Sequence, residues 1–172
     1  MVGQLTEIVT LECGVHPAVA KQVRVAATLH DVGKQKIPVS ILNKPGKLDA
    51  REFEIIKTHT VLGAEALTSV KGELGEMARA CCLFHHEWWN GFGYCGRKTD
   101  ELPFYVAAVA ISDVFVALVC ERPYKTAWPP QEALDYIQNQ AGTQFSPALV
   151  EMFITLILND NRVPALFADV RA

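Results

Sequence analysis

The stretch Leu29-His30-Asp31-Val32-Gly33-Lys34 sets an imidazole beside a carboxylate, two groups that ligate divalent cations or move protons. Adjacent residues of an α-helix point about 100° apart, so this pair reaches one ion only where a helix is ending. Gly33 is the expected stop. Alone the pair is weak evidence, because a His-Asp pair can simply cap a helix. Asp113 strengthens it, lying in the apolar run Ala107 to Leu118. An ionised carboxylate there must be paired, hydrogen-bonded or bound to a metal. Taken by itself, a bond to backbone or hydroxyl explains Asp113 equally well. His59 falls on the apolar face of a helix, where a satisfied core histidine is the commoner outcome. His85-His86 repeats the arrangement at another helix end, with a loop directly after it.

Chance explains the set less well than its members. Four of the five histidines, all but His16, fall at helix ends or on core-facing stripes, together with a buried aspartate. Imidazole and carboxylate donors suit Fe, Mn, Zn or Ni better than Mg or Ca, and the lack of thiolate spacing argues against a structural zinc knuckle. Six ligands, His30, Asp31, His59, His85, His86 and Asp113, exceed the needs of one tetrahedral ion. Two divalent ions sharing Asp31 is the economical arrangement, and such pairs activate water for in-line attack on phosphorus.

The elements that must position these residues are helical. No run shows sustained period-two alternation, so the expected class is all-α. Gln4 to Cys13 reads as a first helix stopped by Gly14; a second opens at Pro17 and runs to about Gly33. Asp49 caps a long helix with Glu52 completing a capping box, placing Phe53, Ile56, His59 and Gly63 on one face. Further helices cover about Glu73 to His86, an apolar stretch opened by Pro103, Gln131 to Gln140 and Pro147 to Asn159. Between them lie an ordered loop from Lys34 to Leu48 and a second from Trp88 to Leu102, the kind of long loop that carries function.

A net charge of -3 offers no broad basic face for long nucleic acid. Five cysteines without CxxC spacing, behind no secretory signal, predict a reduced, cytoplasmic protein. The run from Phe104 to Cys120 barely reaches spanning length and carries Asp113, so it predicts a buried helix and no membrane segment. Residues 1–172 read as one domain.

His30-Asp-Val-Gly-Lys34, Lys57-Thr-His-Thr60, His85-His-Glu87, Gly91, Gly93-Tyr94, Asp113-Val-Phe115 and Arg122-Pro-Tyr-Lys125, in this order and spacing, resemble the HD-GYP domain, a group of the HD superfamily of metal-dependent phosphohydrolases. The likeness covers most of the chain. It implies a bundle of about six to eight helices and hydrolysis of cyclic di-GMP to linear pGpG and on to GMP. It implies two divalent ions, Fe or Mn first, with Zn and Ni as alternatives. His59, His85, His86 and Asp31 would hold one ion; His30, Asp31 and Asp113 the other. Asp31 and Lys34 would be catalytic, Lys34 touching the scissile phosphate. Arg122 and Lys125 would contact the rest of the dinucleotide beside Tyr94. A GGDEF-type domain or an N-terminal regulatory domain would be the partner.

The departures from the family pattern are specific. Cys95 stands where the signature proline is expected, Asn90 where aspartate is common, Trp88 where arginine is usual, and Ala107 and Val116 replace a common arginine and aspartate. The family's first helix also carries a histidine ligand at a position falling before Met1, so the resemblance implies that the start of that helix is missing. These departures motivate two alternatives: a catalytically weak nucleotide-binding or signalling domain, and an HD phosphohydrolase acting on another nucleotide.

Overall fold

Proline and short polar side chains open the helices where the sequence punctuation places them. The computed structural model describes residues 1–121 and 126–167. α1 (Val2–Glu12) ends before Gly14, which takes a positive φ of 78°. α2 (Pro17–Thr28) begins behind His16, whose ring Nδ1 accepts the Ala18 N–H at 3.2 Å, an ordinary capping role. α3 (Val39–Leu42) is a single turn. α4 (Ala50–Lys57) carries the expected capping box: Asp49 accepts the Glu52 N–H at 2.9 Å and Glu52 accepts the Asp49 N–H at 2.8 Å. α5 (His59–Ala66) and α6 (Gly72–Phe84) follow, then α7 (Phe104–Val119), α8 (Pro130–Asn139), α9 (Pro147–Asn159) and α10 (Arg162–Phe167). Eight of the ten are eight residues or longer, and no strand occurs among the described residues. None of these helices is long and apolar enough to cross a membrane.

Two boundaries differ from expectation. α2 stops at Thr28 rather than near Gly33, and the chain passes through Leu29 to Asp31 into a 3-10 turn over Val32–Lys36. The long helix from Asp49 breaks at Thr58, so His59 starts a new helix. Gly33 is not a left-handed stop. A Cβ there would lie 1.9 Å from the His59 carbonyl oxygen and 2.5 Å from the Gly63 nitrogen. It is glycine because two backbones touch.

The interior divides in two. Leu5, Val9, Ile111, Phe115, Leu134 and Phe153 fill a bulky core where α1, α7, α8 and α9 meet. Burying side chains of this size stabilises by roughly 1.5–3 kcal/mol each. The second core, between α2, α5 and α6, is built from Ala26, Ala27, Ala64, Ala78, Cys81 and Cys82 together with Leu67 and Val109, and larger side chains such as Leu74 and Met77 pack around it. Small side chains there let three helix ends approach closely. α7 joins the two, giving Val109 to one and Ile111 and Phe115 to the other.

Candidate metal centre

The close approach delivers imidazoles from three directions. His30 and Asp31 sit in the turn after α2, His59 begins α5, His85 and His86 follow α6, and Asp113 projects from the middle of α7. Each buried ring is oriented by its own helix end. Nδ1 of His30 lies 2.6 Å from the Ala27 carbonyl, Nδ1 of His59 2.6 Å from that of Ile56, and Nδ1 of His85 2.8 Å from that of Cys81. A carbonyl only accepts, so Nδ1 carries a proton in each ring and Nε2 is the nitrogen turned toward the cluster.

Those Nε2 atoms converge on Asp31. His59 Nε2 is 3.3 Å and His85 Nε2 3.7 Å from Asp31 Oδ1, while His30 Nε2 is 3.3 Å from Oδ2 and 3.5 Å from Asp113 Oδ1. The His59 and His85 Nε2 atoms are 3.3 Å apart. His86 completes the cluster, its ring centroid 4.0 Å from that of His85 and 5.2 Å from that of His59. Among the described residues, two groups of donors lie close enough to share an ion: His59, His85 and His86, and His30, Asp31 and His85.

Electrostatics follow from crowding. Burial alone would lower His30, but the carboxylates of Asp113 and Asp31 lift it to about 10. Burial works against ionised Asp31, yet contacts with His30 and His59 and the charges of His30 and Lys34 hold its carboxyl well below the usual range. Asp113 is likewise held low by His30 against the effect of burial. Burial and the neighbouring His59 push His86 down to about 4, and burial with His86 and His30 holds His85 well below a free imidazole. His30 Nε2 and Asp31 Oδ1 are buried without an aligned hydrogen-bond partner. Buried atoms without a partner, Nε2 nitrogens facing one carboxylate, and rings oriented through Nδ1 by backbone carbonyls are the arrangement a divalent ion uses, so the donor set fits one.

The remaining expected residues are distributed unevenly. Lys34 is partly exposed and its Nζ donates to Asp31 Oδ2 at 2.5 Å. Tyr94 lies over His86, ring centroids 4.4 Å apart and 32° from parallel, with burial and the charge of Asp31 raising its phenol pKa. Arg122 and Lys125 lie outside the described residues.

Sequence reasoning did not assign the packing roles of Gly33, Gly63, Glu87, Trp89 and Asn90. Gly33 and Gly63 permit the backbone contact that brings His30 to His59. Glu87, 1 % exposed, accepts the N–H groups of Cys95 and Arg97. Trp89 and Asn90 donate backbone N–H groups to the carbonyls of Gln144 and Thr143, each at 3.0 Å, fastening the loop to the α8–α9 turn.

The sequence matches a family model described as HD domain over residues 2–149. It is 40% identical over 156 residues to a protein of Thermotoga maritima named cyclic di-GMP phosphodiesterase, covering 90% of this chain and 42% of that one. It is 41% identical over 142 residues to the 3'3'-cGAMP-specific phosphodiesterase 2 of Vibrio cholerae, covering 82% of this chain and 27% of that one. The chain therefore spans less than half the length of these curated relatives. In fold it matches a solved HDG"Y"P protein from Bdellovibrio bacteriovorus, with a TM-score of 0.74 at 16% identity over 92% of this chain and 50% of the other.

Proposed function

The chain belongs to the HD domain family, as its HD-GYP resemblance implies, and on that premise we propose that it is a metal-dependent phosphodiesterase hydrolysing a cyclic dinucleotide, cyclic di-GMP first. One observation carries the reading: the Nε2 atoms of the buried His30, His59 and His85 all lie within 3.7 Å of one carboxylate, Asp31. Two divalent ions, Fe or Mn before Zn or Ni, would be held by His59, His85, His86 and Asp31 on one side and by His30, Asp31 and Asp113 on the other. Bound there, they supply Lewis-acid activation of water and neutralise charge on the phosphoryl group.

The chain's own groups do the rest. Asp31 stays ionised and is shared between the two sites. His85 and His86 stay neutral at physiological pH, so each offers a lone pair without first losing a proton. Lys34, beside Asp31, reaches the scissile phosphate as a charge-assisted donor. Tyr94 borders the site, and Arg122 and Lys125 take the second phosphate and the bases. The same loop, with Phe92 80% exposed at its tip, is the surface we assign to a GGDEF-type partner or an N-terminal regulatory domain.

A second substrate has a specific motive: a relative at 41% identity is named for 3'3'-cGAMP. Metal content of anaerobically purified protein, measured with turnover of both cyclic dinucleotides in the same Fe- or Mn-loaded sample, tests the proposal. About two ions per chain with linear product supports it, and the ratio of the two turnover rates chooses the substrate. Binding of both nucleotides without product in fully loaded protein makes this a nucleotide-binding domain. Asp31→Ala should lose metal and turnover together; turnover surviving in that variant sinks the proposal.

A further inference from the structure

The loop after α6 carries a carboxylate that the chemistry above does not use. Glu87 is 1 % exposed, follows the two terminal histidines directly, and has both carboxylate oxygens on backbone N–H groups further along the loop. Its Oε1 accepts the Cys95 N–H at 2.6 Å and its Oε2 accepts the Arg97 N–H at 2.6 Å. One side chain thus closes the loop on itself, across eight and ten residues. Hydrogen bonds to an ionised acceptor are short and about twice as strong as neutral ones.

What the clasp holds is Tyr94. Gly93 presses against the chain entering the loop: a Cβ there would lie 2.4 Å from Glu87 Cα and 2.6 Å from the His86 carbonyl oxygen. Tyr94 follows, its N–H directed at the His86 carbonyl at 3.4 Å, and Cys95 comes next with its N–H on Glu87. The phenol ring is thereby fixed over His86 and edge-on to Phe53, whose centroid is 6.1 Å away. The Arg97 guanidinium, 5.8 Å from the centre of the Phe84 ring, ties the far end of the loop back to α6.

We propose that Glu87 is the positioning residue of this site, and that the backbone N–H of Cys95 is a working part of it. Proline, which the HD-GYP pattern carries at this place, has no N–H to give. The exchange of proline for Cys95 therefore replaces a ring that fixes φ with a donor that fixes the loop through Glu87. The thiol takes no part; only the amide does. The proposal rests on the phosphodiesterase reading for its effect on substrate, since Tyr94 borders that site, but not for the clasp itself.

Amide hydrogen exchange in the metal-free chain, followed by NMR on isotope-labelled protein, tests the clasp without any substrate. Wild type should protect Cys95 and Arg97. Glu87→Gln puts an amide donor against one of the two N–H groups, and exchange at both should quicken about tenfold or more, with the amides of α9 unchanged. Cys95→Ala keeps the N–H and should keep the protection at residue 95 and at Arg97. Cys95→Pro removes it and should speed exchange at Arg97. Equal rates in wild type and Glu87→Gln overturn the clasp, and so does Cys95→Ala behaving like Cys95→Pro. Should Glu87→Gln loosen α9 as well, the two Cys95 variants decide alone.

In metal-loaded protein Glu87→Gln should raise KM for cyclic di-GMP several-fold with a smaller change in kcat. A fall in kcat alone, with KM unmoved, overturns positioning through Tyr94. Absence of turnover in wild type would instead count against the phosphodiesterase reading and leave the exchange result standing.

Discussion

The two cores of this molecule are built for different ends. Around Phe115 and Phe153, whose rings meet edge to face at 5.5 Å, large side chains interdigitate and stabilise the bundle. Around Cys82 and Ala64 most of the buried side chains are small, with larger ones such as Leu67, Leu74 and Met77 around them, and a Cβ at Gly63 would lie 3.2 Å from the Gly33 nitrogen and 3.3 Å from Cys82 Cβ. The first arrangement gives stability per residue; the second gives proximity, at the expense of apolar burial. Six ligands from four segments converge where the side chains between the helix ends are alanine, glycine and cysteine, while the two large phenylalanines Phe115 and Phe153 lie in the other core.

That contrast can be broken by experiment. The largest effect on stability should come from Phe153→Ala, which leaves a cavity in the bulky core and should cost about 3–5 kcal/mol in urea denaturation, while metal affinity of the folded protein stays unchanged. Gly33→Ala should show the converse. Its added methyl meets the His59 carbonyl, so we expect a loss of about 1–3 kcal/mol with metal content falling well below that of wild type. A Gly33→Ala protein that binds metal normally would refute the view that the small core exists for proximity.

Smaller effects sharpen the electrostatic side. In metal-free protein the His86 ring should titrate by NMR near about 4. The folded state then refuses a proton that the unfolded chain accepts, so this residue's share of stability falls as pH drops from 6.5 through about 4. Asp31, whose folded carboxyl is held low, loses stability in the same acidic direction. His30 runs oppositely: held up at about 10, it stabilises fully below 6.5 and its contribution is lost as pH rises through about 10. Denaturation midpoints of the metal-free protein across pH should therefore decline on both sides of neutrality. A flat profile would mean the imidazoles and carboxylates are not coupled as their distances indicate.

The smallest effect concerns reactivity. Burial pushes the Cys81 thiol up to about 12 and that of Cys82 up to about 11. Iodoacetamide at neutral pH should label the exposed Cys13 and Cys95 well before either, with Cys81 and Cys82 reacting only on unfolding.

Much of this was legible in the linear sequence, for identifiable reasons. Capping is local chemistry, so the Asp49–Glu52 box and the span of α9 from Pro147 to Asn159 could be read directly. The grouping of His30, Asp31, His59, His85, His86 and Asp113 came from residue type at helix ends together with the family resemblance. Packing between distant segments was not legible. Gly33 reads equally as a helix stop, and only the His59 carbonyl beside it shows otherwise. The break at Thr58 has no proline or glycine to mark it. Glu87 is silent because its partners are backbone amides, which every residue but proline supplies.

The hydrogen bonds from Trp89 and Asn90 to Gln144 and Thr143 bear on how this domain can be cut. The last of the six clustered ligands is Asp113, yet the loop that borders them is moored 30 and 31 residues further on. A fragment trimmed after α7 would keep every donor and lose the mooring. Nicking by a protease in the turn between α8 and α9 would act likewise, severing support without touching a ligand. The autonomous unit is set by where its scaffold ends, well past the end of its chemistry.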